Sequence, residues 1–385
     1  MTQPVDQQAA PPATAPRLFH VDNLRTALMA LVVVHHSVIA YSNIPAWYYI
    51  EPRPDSSGTL VDLLLLFNQT FFMGAFFLIS GLFVPRSYDR KGAGPFLRER
   101  LVRLGVPLLL WLLLIRPLVT TGRYTTAVEE AARQGDDLPY WKYYVSAYTP
   151  GPLWFVEVLL VFSALYVLWR LWTGRRGRTP ENATAAGRAP GVAAIAGFVV
   201  GLALVTYVWR MVVPMGVTVL GLPSAGYLPQ YAALFVVGLV AARRGWLQNL
   251  PRAAGRAGFA TAAVATLAVV FVVGVFGETS LGHGSLSSLL MAASESALAV
   301  GIILGLLVLF RQRFGRQGRL RRFLSAHAFT VYVIHPPVLV ALGYALSGVE
   351  APAIAKAALL TAIGLPLCWA TAYVVRALPG AKKVL

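Results

Sequence analysis

Apolar runs long enough to cross a bilayer recur along the whole 385-residue chain. A hydrocarbon core roughly 30 Å thick needs about 20 apolar residues in helical form. A chain in lipid must also satisfy its backbone hydrogen bonds within helices or a closed barrel. Ten candidate spans are read at 24–41, 60–84, 105–121, 152–172, 192–213, 226–242, 257–276, 285–310, 323–347 and 352–375. Barrel strands would show short alternating segments instead. The expected class is therefore all-α: a polytopic membrane protein, a bundle of about ten transmembrane helices. Composition agrees, with 57% hydrophobic and 13% charged residues, against about 45–50% and about 25% in an ordinary soluble chain.

The net charge of +17 follows from the same topology. Lys and Arg gather in alternate loops, as the positive-inside rule requires. With the N-terminus inside, the cytoplasmic loops 85–104, 173–191, 243–256 and 311–322 carry the cations, Arg98, Arg100, Arg188, Arg252 and Arg319 among them. The outer loops hold only Arg53, Arg123, Arg133 and Lys142. Ten spans with both termini cytoplasmic are self-consistent, and losing one would break the alternation. Basic loops read as orientation signals leave no reason to expect a nucleic-acid partner. The chain divides into a disordered cytoplasmic tail at 1–20, a membrane domain at 21–378 and a short cytoplasmic tail at 379–385. The expected location is the cell (inner or plasma) membrane. The "NAT" sequon in the linker 173–191 falls on the cytoplasmic side and carries no meaning there. The single cysteine, Cys368, lies in an apolar run, so no intramolecular disulfide or zinc site of the usual spacing is expected. The large outer loop 122–150 is acidic and aromatic, and reads as an interface-lying cap or an acceptor-binding surface.

Ionisable side chains inside a bilayer are costly and normally face the bundle interior, where they mark function. The first span carries Asp22 and Asn23 as candidate caps, then Arg25, His35 and His36. The 11-residue step from Arg25 to His36 nets roughly 20° of rotation and about 16 Å of rise, so these two share one face. His35 is turned about 100° away, toward packing or a hydrogen bond with a neighbour. Asp22 is close enough to pair with Arg25. The second span holds Asp62 near its outer end, then Asn68 and Gln69. Its Gly74, Ser80 and Gly81 read as close helix packing. Arg100 and Arg103 share a face of a short helix at the cytoplasmic surface, suited to lipid phosphates or to a soluble anionic ligand. Further along come Trp154 and Glu157, Glu295, His327 and His335, the last followed by a Pro-Pro pair. Arg116 and Arg210 lie near span ends and are expected to snorkel.

Several segments, in order, resemble the membrane-bound acyltransferase family 3. "HVDNLRTALMALVVVHHS" is similar to that family's D-x-x-R opening and R-x10-H signature, here Arg25 and His36. "FFLISGLF" looks like its second-helix motif, and "FLRERLVRLGVP" like its R-x-x-R-x-x-x-P segment, here Arg100, Arg103 and Pro107. "GPLWFVEVLL" and "FTVYVIHPPVL" resemble its W-x-x-E and Y-x-I-H segments, here Trp154, Glu157, Tyr332 and His335. The "GPLW" form leans toward the glucan biosynthesis succinyltransferase-like branch. His35 is a departure, since the residue before the signature histidine is often aromatic; the spacing favours His36.

The resemblance implies an O-acyltransferase that moves an acetyl, succinyl or similar group from cytoplasmic acyl-CoA to a hydroxyl of a glycan, lipid or small molecule. Acyl-CoA would be a donor substrate, with no bound cofactor and no metal. His36 would be the general base, with Arg25 and Glu157 in the catalytic group. Arg100, Arg103, Arg25 and His335 would bind acyl-CoA, while Asp62, Trp154 and Glu157 would shape the acceptor side. Membrane lipids are the other expected partners, and oligomerisation is left open. The competing class is a proton-coupled secondary transporter using intramembrane His and Glu residues, which the lack of an internal repeat disfavours.

Overall fold

A computed structural model describes residues 18–51, 55–146, 148–174, 187–223 and 225–385. Residues 1–17 of the expected tail, Arg53 and the linker sequon lie outside the described residues. Among the described residues the secondary structure is helical, with an isolated bridge between Val219 and Leu222.

Helix α1 (Phe19–Ile39) is followed by α2 (Ser57–Lys91), the span α3 (Ala93–Val119), and two short helices, α4 (Thr121–Arg133) and α5 (Tyr140–Ser146). Then come α6 (Trp154–Trp172), α7 (Val192–Val212), α8 (Leu228–Arg244), α9 (Arg252–Phe276), α10 (Leu286–Arg313), α11 (Arg319–Ala345) and α12 (Ala353–Ala377). Among the described residues, nine helices are long and apolar enough to cross a membrane. Helix α1 is not one of the nine, because Asp22, Asn23, Arg25 and the two histidines dilute its hydropathy. At 21 residues it is still about 31 Å long.

The polar helix is also the central one. Helix α1 packs against α2, α11 and α12 and touches α10. The peripheral helices α7 and α9 keep most of their apolar surface outside, with only 17% and 22% of their most apolar stretches buried, against 67% for α2. That contrast separates lipid-facing helices from the polar-lined centre.

Small residues set the closest helix approach, as their spacing predicts. A Cβ on Gly81 would lie 2.3 Å from the Phe235 carbonyl oxygen, and one on Gly238 2.2 Å from that of Leu78. Helices α2 and α8 therefore meet backbone to backbone.

Three local expectations change. The third span starts at Ala93, not 105, so Arg100 and Arg103 belong to it. Wide π-type turns at Leu101–Gly105 and Trp111–Ile115 precede Pro107 and Pro117, whose missing N–H groups would interrupt a regular helix. Neither Asp22 nor Asn23 caps α1, whose N-cap position is Leu18. Asn23 instead donates to the carbonyls of Phe314 and Arg316 at 2.7 and 3.1 Å, fastening the turn between α10 and α11. Finally, Arg116 and Arg210 do not snorkel. Both are buried, at 1% and 0% exposure. Arg116 donates to the Tyr144 carbonyl at 3.0 Å and covers that residue's ring. Arg210 pairs with Glu295 at 2.5 Å. Desolvating a guanidinium costs too much without such partners, and α5 and α10 bring them within reach.

Candidate active site

Two cavities penetrate the bundle from opposite ends and share a wall. The larger, about 510 Å³, is lined at its mouth by six cations, Arg25, Arg90, Lys91, Arg100, Arg103 and Arg376, with one acid, Glu99. Farther in, its walls turn apolar: Met73, Phe76, Phe155 and Phe329. The smaller, about 260 Å³, is lined by His35, His36, Phe72, Trp154 and Tyr227, with Gln69. Val32, Met73 and Tyr332 line both cavities, so they form the partition.

Local sequence explains the basic mouth. Helix α2 ends in Arg90 and Lys91, and Gly92 takes φ 76° there, a left-handed conformation that favours glycine. The sharp turn starts α3 immediately, placing Arg100 and Arg103 beside the end of α2. Lys91 pairs with Glu99, and Arg103 lies 3.6 Å from the same carboxylate. Arg25 pairs with Asp22 at 3.5 Å, as the helical spacing predicts. Two acids, Glu99 and Asp22, against six cations leave a positive mouth, a field that attracts a polyanion.

Arg25 and His36 lie on one side of α1, as the 11-residue step predicts. Arg25 lines the basic cavity, His36 the smaller one, and Val32 between them lines both. His35, expected to turn away from His36 and to pack or hydrogen-bond with a neighbour, does pack, yet it is not turned out of the site. It lines the smaller cavity too, with its ring 4.9 Å from Phe72 and edge-on to His36 at 5.4 Å.

The motif around His335 builds the second part of the site. Helix α11 continues past Pro336 and Pro337. Because Pro336 has no N–H, the carbonyl of Tyr332 four residues earlier loses its helical donor. His335 Nδ1 lies 2.8 Å from that oxygen and 3.3 Å from the Val331 oxygen. A carbonyl only accepts, so Nδ1 carries the proton, and in the neutral ring Nε2 is an acceptor. That Nε2 is 3.1 Å from His36 Nδ1. His36 Nδ1 also lies 3.0 Å from the Val32 carbonyl. Facing two acceptors, it must be the protonated nitrogen. His36 Nε2 is left with a lone pair and no hydrogen-bond partner among the described residues. Trp47 stacks on the His36 ring at 4.3 Å and fixes its plane.

The remaining sequence candidates divide. Trp154 lines the histidine cavity and stacks on Tyr231 at 5.3 Å. His335, expected with the acyl-CoA group, lines neither cavity and is fully buried behind His36. Asp62 also lines neither cavity; it accepts from Asn43 N and Nδ2 at 3.0 and 2.8 Å and so anchors the loop after α1. Glu157 lies outside both linings, with Oε1 3.5 Å from the Tyr148 hydroxyl and Oε2 buried.

Sequence reasoning missed Trp47, and it named Tyr332, Arg210 and Glu295 without their roles. Tyr332 divides the cavities and donates to the Pro152 carbonyl, tying α11 to the turn before α6. Trp47 stands in a loop with no periodicity to mark it. Arg210 and Glu295 form a buried clamp in which the Tyr227 hydroxyl donates to Glu295 at 2.6 Å and Arg210 Nε to the Gly226 carbonyl at 3.3 Å. Since Gly226 and Tyr227 line the histidine cavity, the clamp holds its wall.

Known proteins agree with this reading of the bundle. The acyltransferase domain family matches residues 19–373. Similar curated proteins include the glucans biosynthesis protein C of Salmonella paratyphi B, Salmonella heidelberg and Salmonella schwarzengrund, each 28% identical over 176 residues. The aligned part is 45% of this chain and 44% of each relative, so less than half of their length is matched. No solved structure matches the chain. The family match runs from the start of α1 to the last turns of α12, so the chain belongs to the acyltransferase family 3 whose motifs its sequence resembles.

Proposed function

We propose that this membrane acyltransferase takes its acyl group from acyl-CoA at the basic cavity and transfers it to an acceptor hydroxyl in the histidine cavity. The observation that carries the proposal is the His36–His335 pair, joined at 3.1 Å beside a partition common to both cavities. The charge pattern favours the basic mouth, and both termini, on the cytoplasmic side of an inner or plasma membrane.

The steps follow from the residues. Arg100 and Arg103 bind the CoA phosphates by charge-assisted hydrogen bonds, with Arg25 deeper on the same face as His36. The apolar walls take the pantetheine arm, and the thioester reaches the partition at Val32, Met73 and Tyr332. The acceptor hydroxyl lies against His36 Nε2, which removes its proton as the oxygen attacks the thioester carbonyl. His335 holds His36 in the tautomer that keeps Nε2 free. When the tetrahedral intermediate collapses, the C–S bond breaks and the imidazolium returns the proton to the departing thiolate. The acceptor is a glycan, lipid headgroup or small molecule, and Trp154 supplies an aromatic wall for it. Glu157 and Asp62 act from outside the cavity, through Tyr148 and the loop after α1.

The test is transfer by the purified protein in nanodiscs. Acetyl-CoA or succinyl-CoA serves as donor and linear gluco-oligosaccharides as acceptor, with free thiol and acceptor mass followed together. The expected result is stoichiometric thiol release and acylated sugar, lost on His36→Ala by about 10²–10⁴-fold. Full activity in His36→Ala would overturn the assignment of the base. Proton-coupled uptake of the sugar without thiol release would establish the transporter reading instead.

A further inference from the structure

His35 faces the same cavity as His36 but is held differently. Its Nδ1 is fully covered and has no hydrogen-bond partner among the described residues, while its ring lines the cavity. The edge turned to the cavity is therefore the one bearing Nε2. A neutral imidazole has one N–H and one lone pair to distribute. Burying an N–H with no acceptor costs more than burying an unpaired acceptor, and orphaned donors are the rarer of the two in folded proteins. The lone pair belongs on Nδ1, and the proton on Nε2, pointing into the cavity. The two adjacent histidines thus present opposite faces: His36 an acceptor, His35 a donor.

The ring is also packed against two neighbours. It lies against Phe72 at 4.9 Å and edge-on to His36 at 5.4 Å, with an interplanar angle of 85°. A thioester carbonyl attacked by a hydroxyl held at His36 must place its oxygen within a few ångströms of that hydroxyl. The two rings touch edge to face, and both line one small cavity, so a reacting carbon held in that cavity lies beside both. A fixed donor aimed where negative charge develops is the most effective electrostatic aid to acyl transfer.

We propose that His35 is a catalytic residue, its Nε2–H donating a hydrogen bond to the oxyanion of the tetrahedral intermediate. This rests on the acyl-transfer reading with His36 as base. The acceptor oxygen forms its bond to the carbonyl carbon, and the carbonyl π pair moves onto oxygen. His36 takes the hydroxyl proton, and His35 donates without releasing its own. On collapse the pair returns, the C–S bond breaks and the thiolate takes the proton from His36.

The experiment compares wild type, His35→Phe, His35→Gln, His35→Asn and His36→Ala in nanodiscs, with acetyl-CoA and a linear gluco-oligosaccharide. The readouts are kcat, KM for acetyl-CoA and thermal stability. The glutamine amide reaches the position of Nε2, whereas the asparagine amide reaches only that of Nδ1. His35→Phe is expected to lose about 10²–10³ in kcat, with KM for acetyl-CoA unchanged. His35→Gln recovers at least about tenfold over His35→Asn, a pattern that simple packing would not produce. Wild-type turnover in His35→Phe beside an inactive His36→Ala overturns the donor role and leaves the base intact. Equal losses in all three His35 variants overturn it as well. Full activity in His36→Ala sinks the underlying reading first, and no thiol release by wild type sinks acyl transfer by this chain on this pair.

Discussion

The two cavities use charge in opposite ways. At the basic mouth the cations outnumber the acids and face open space, with Arg103 64% exposed. Around the histidine cavity the full charges are withdrawn and closed on each other. Arg210 and Glu295 are 0% and 2% exposed and share Tyr227 and the Gly226 carbonyl. Among the described residues no Asp, Glu, Lys or Arg lines it; the polar side chains there are rings and one amide, set among apolar residues. Open cations suit a mobile polyanion that must arrive and leave. Proton transfer needs a different setting, a fixed and dry arrangement in which each hydrogen bond has one assignment. The same residue type, arginine, stands open to a cavity in one region and is locked into the architecture in the other.

Breaking the histidine side should have the largest effect. In His335→Phe the ring packing is kept, but His36 Nδ1 loses one of its two acceptors and the tautomer is held by Val32 alone. Losing the group that orients a catalytic histidine costs up to about 10⁴ in kcat. Here Val32 still holds His36 Nδ1 at 3.0 Å, so the expected loss is about 10²–10³ in kcat with an unchanged KM for acyl-CoA. A change confined to KM would return His335 to a donor-binding role. Next is Glu295→Ala, which strands Arg210 in a buried site. Breaking such a pair costs about 3–5 kcal/mol, visible as a large drop in thermal stability in detergent. Retained stability would mean that the clamp does not hold the cavity wall.

At the basic mouth the effects are smaller and fall on binding. Arg100→Ala and Arg103→Ala should each raise the KM for acyl-CoA about tenfold, equivalent to about 1.4 kcal/mol, and leave kcat alone. Added salt should weaken wild-type binding in the same direction, because exposed charges are screened over roughly 8–10 Å. A salt-independent KM, or a loss of kcat instead, would break the contrast between the two ends.

These contrasts also explain what the sequence could and could not disclose. Hydropathy depends on one helix at a time, so nine expected spans reappear as apolar helices with ends shifted by a few residues, and α1 is found at spanning length. The largest shift falls at the start of α3, where the basic residues Arg98, Arg100 and Arg103 hide twelve residues of the span. The shared side of Arg25 and His36 is a property of one helix and was legible too. Partnerships between helices were not. His36 and His335 are 299 residues apart, and Arg210 and Glu295 are 85 apart. A sequence gives the depth of an arginine but not the acid on a neighbouring helix, so Arg116 and Arg210 looked like snorkelling residues. His35 illustrates the same limit at short range. Its rotation from His36 was correct, but the cavity is wide enough to include both directions.

Asp62 provides the mildest test, because it separates a lining role from an anchoring one. Its carboxylate holds Asn43 by two hydrogen bonds at an exposed site, and a typical net bond is worth only about 1 kcal/mol. The loop it anchors follows α1 and includes Ile44 and Ala46, which do line the histidine cavity. Asp62→Asn keeps the size of the side chain and loses one acceptor. The expected outcome is a rise of about threefold or less in KM for the acceptor, with kcat, stability and KM for acyl-CoA unchanged. A loss of kcat comparable to that of His335→Phe would put Asp62 at the reacting groups. A change in KM for acyl-CoA would link the far end of the bundle to the basic mouth, and the two cavities could then no longer be treated as separate devices.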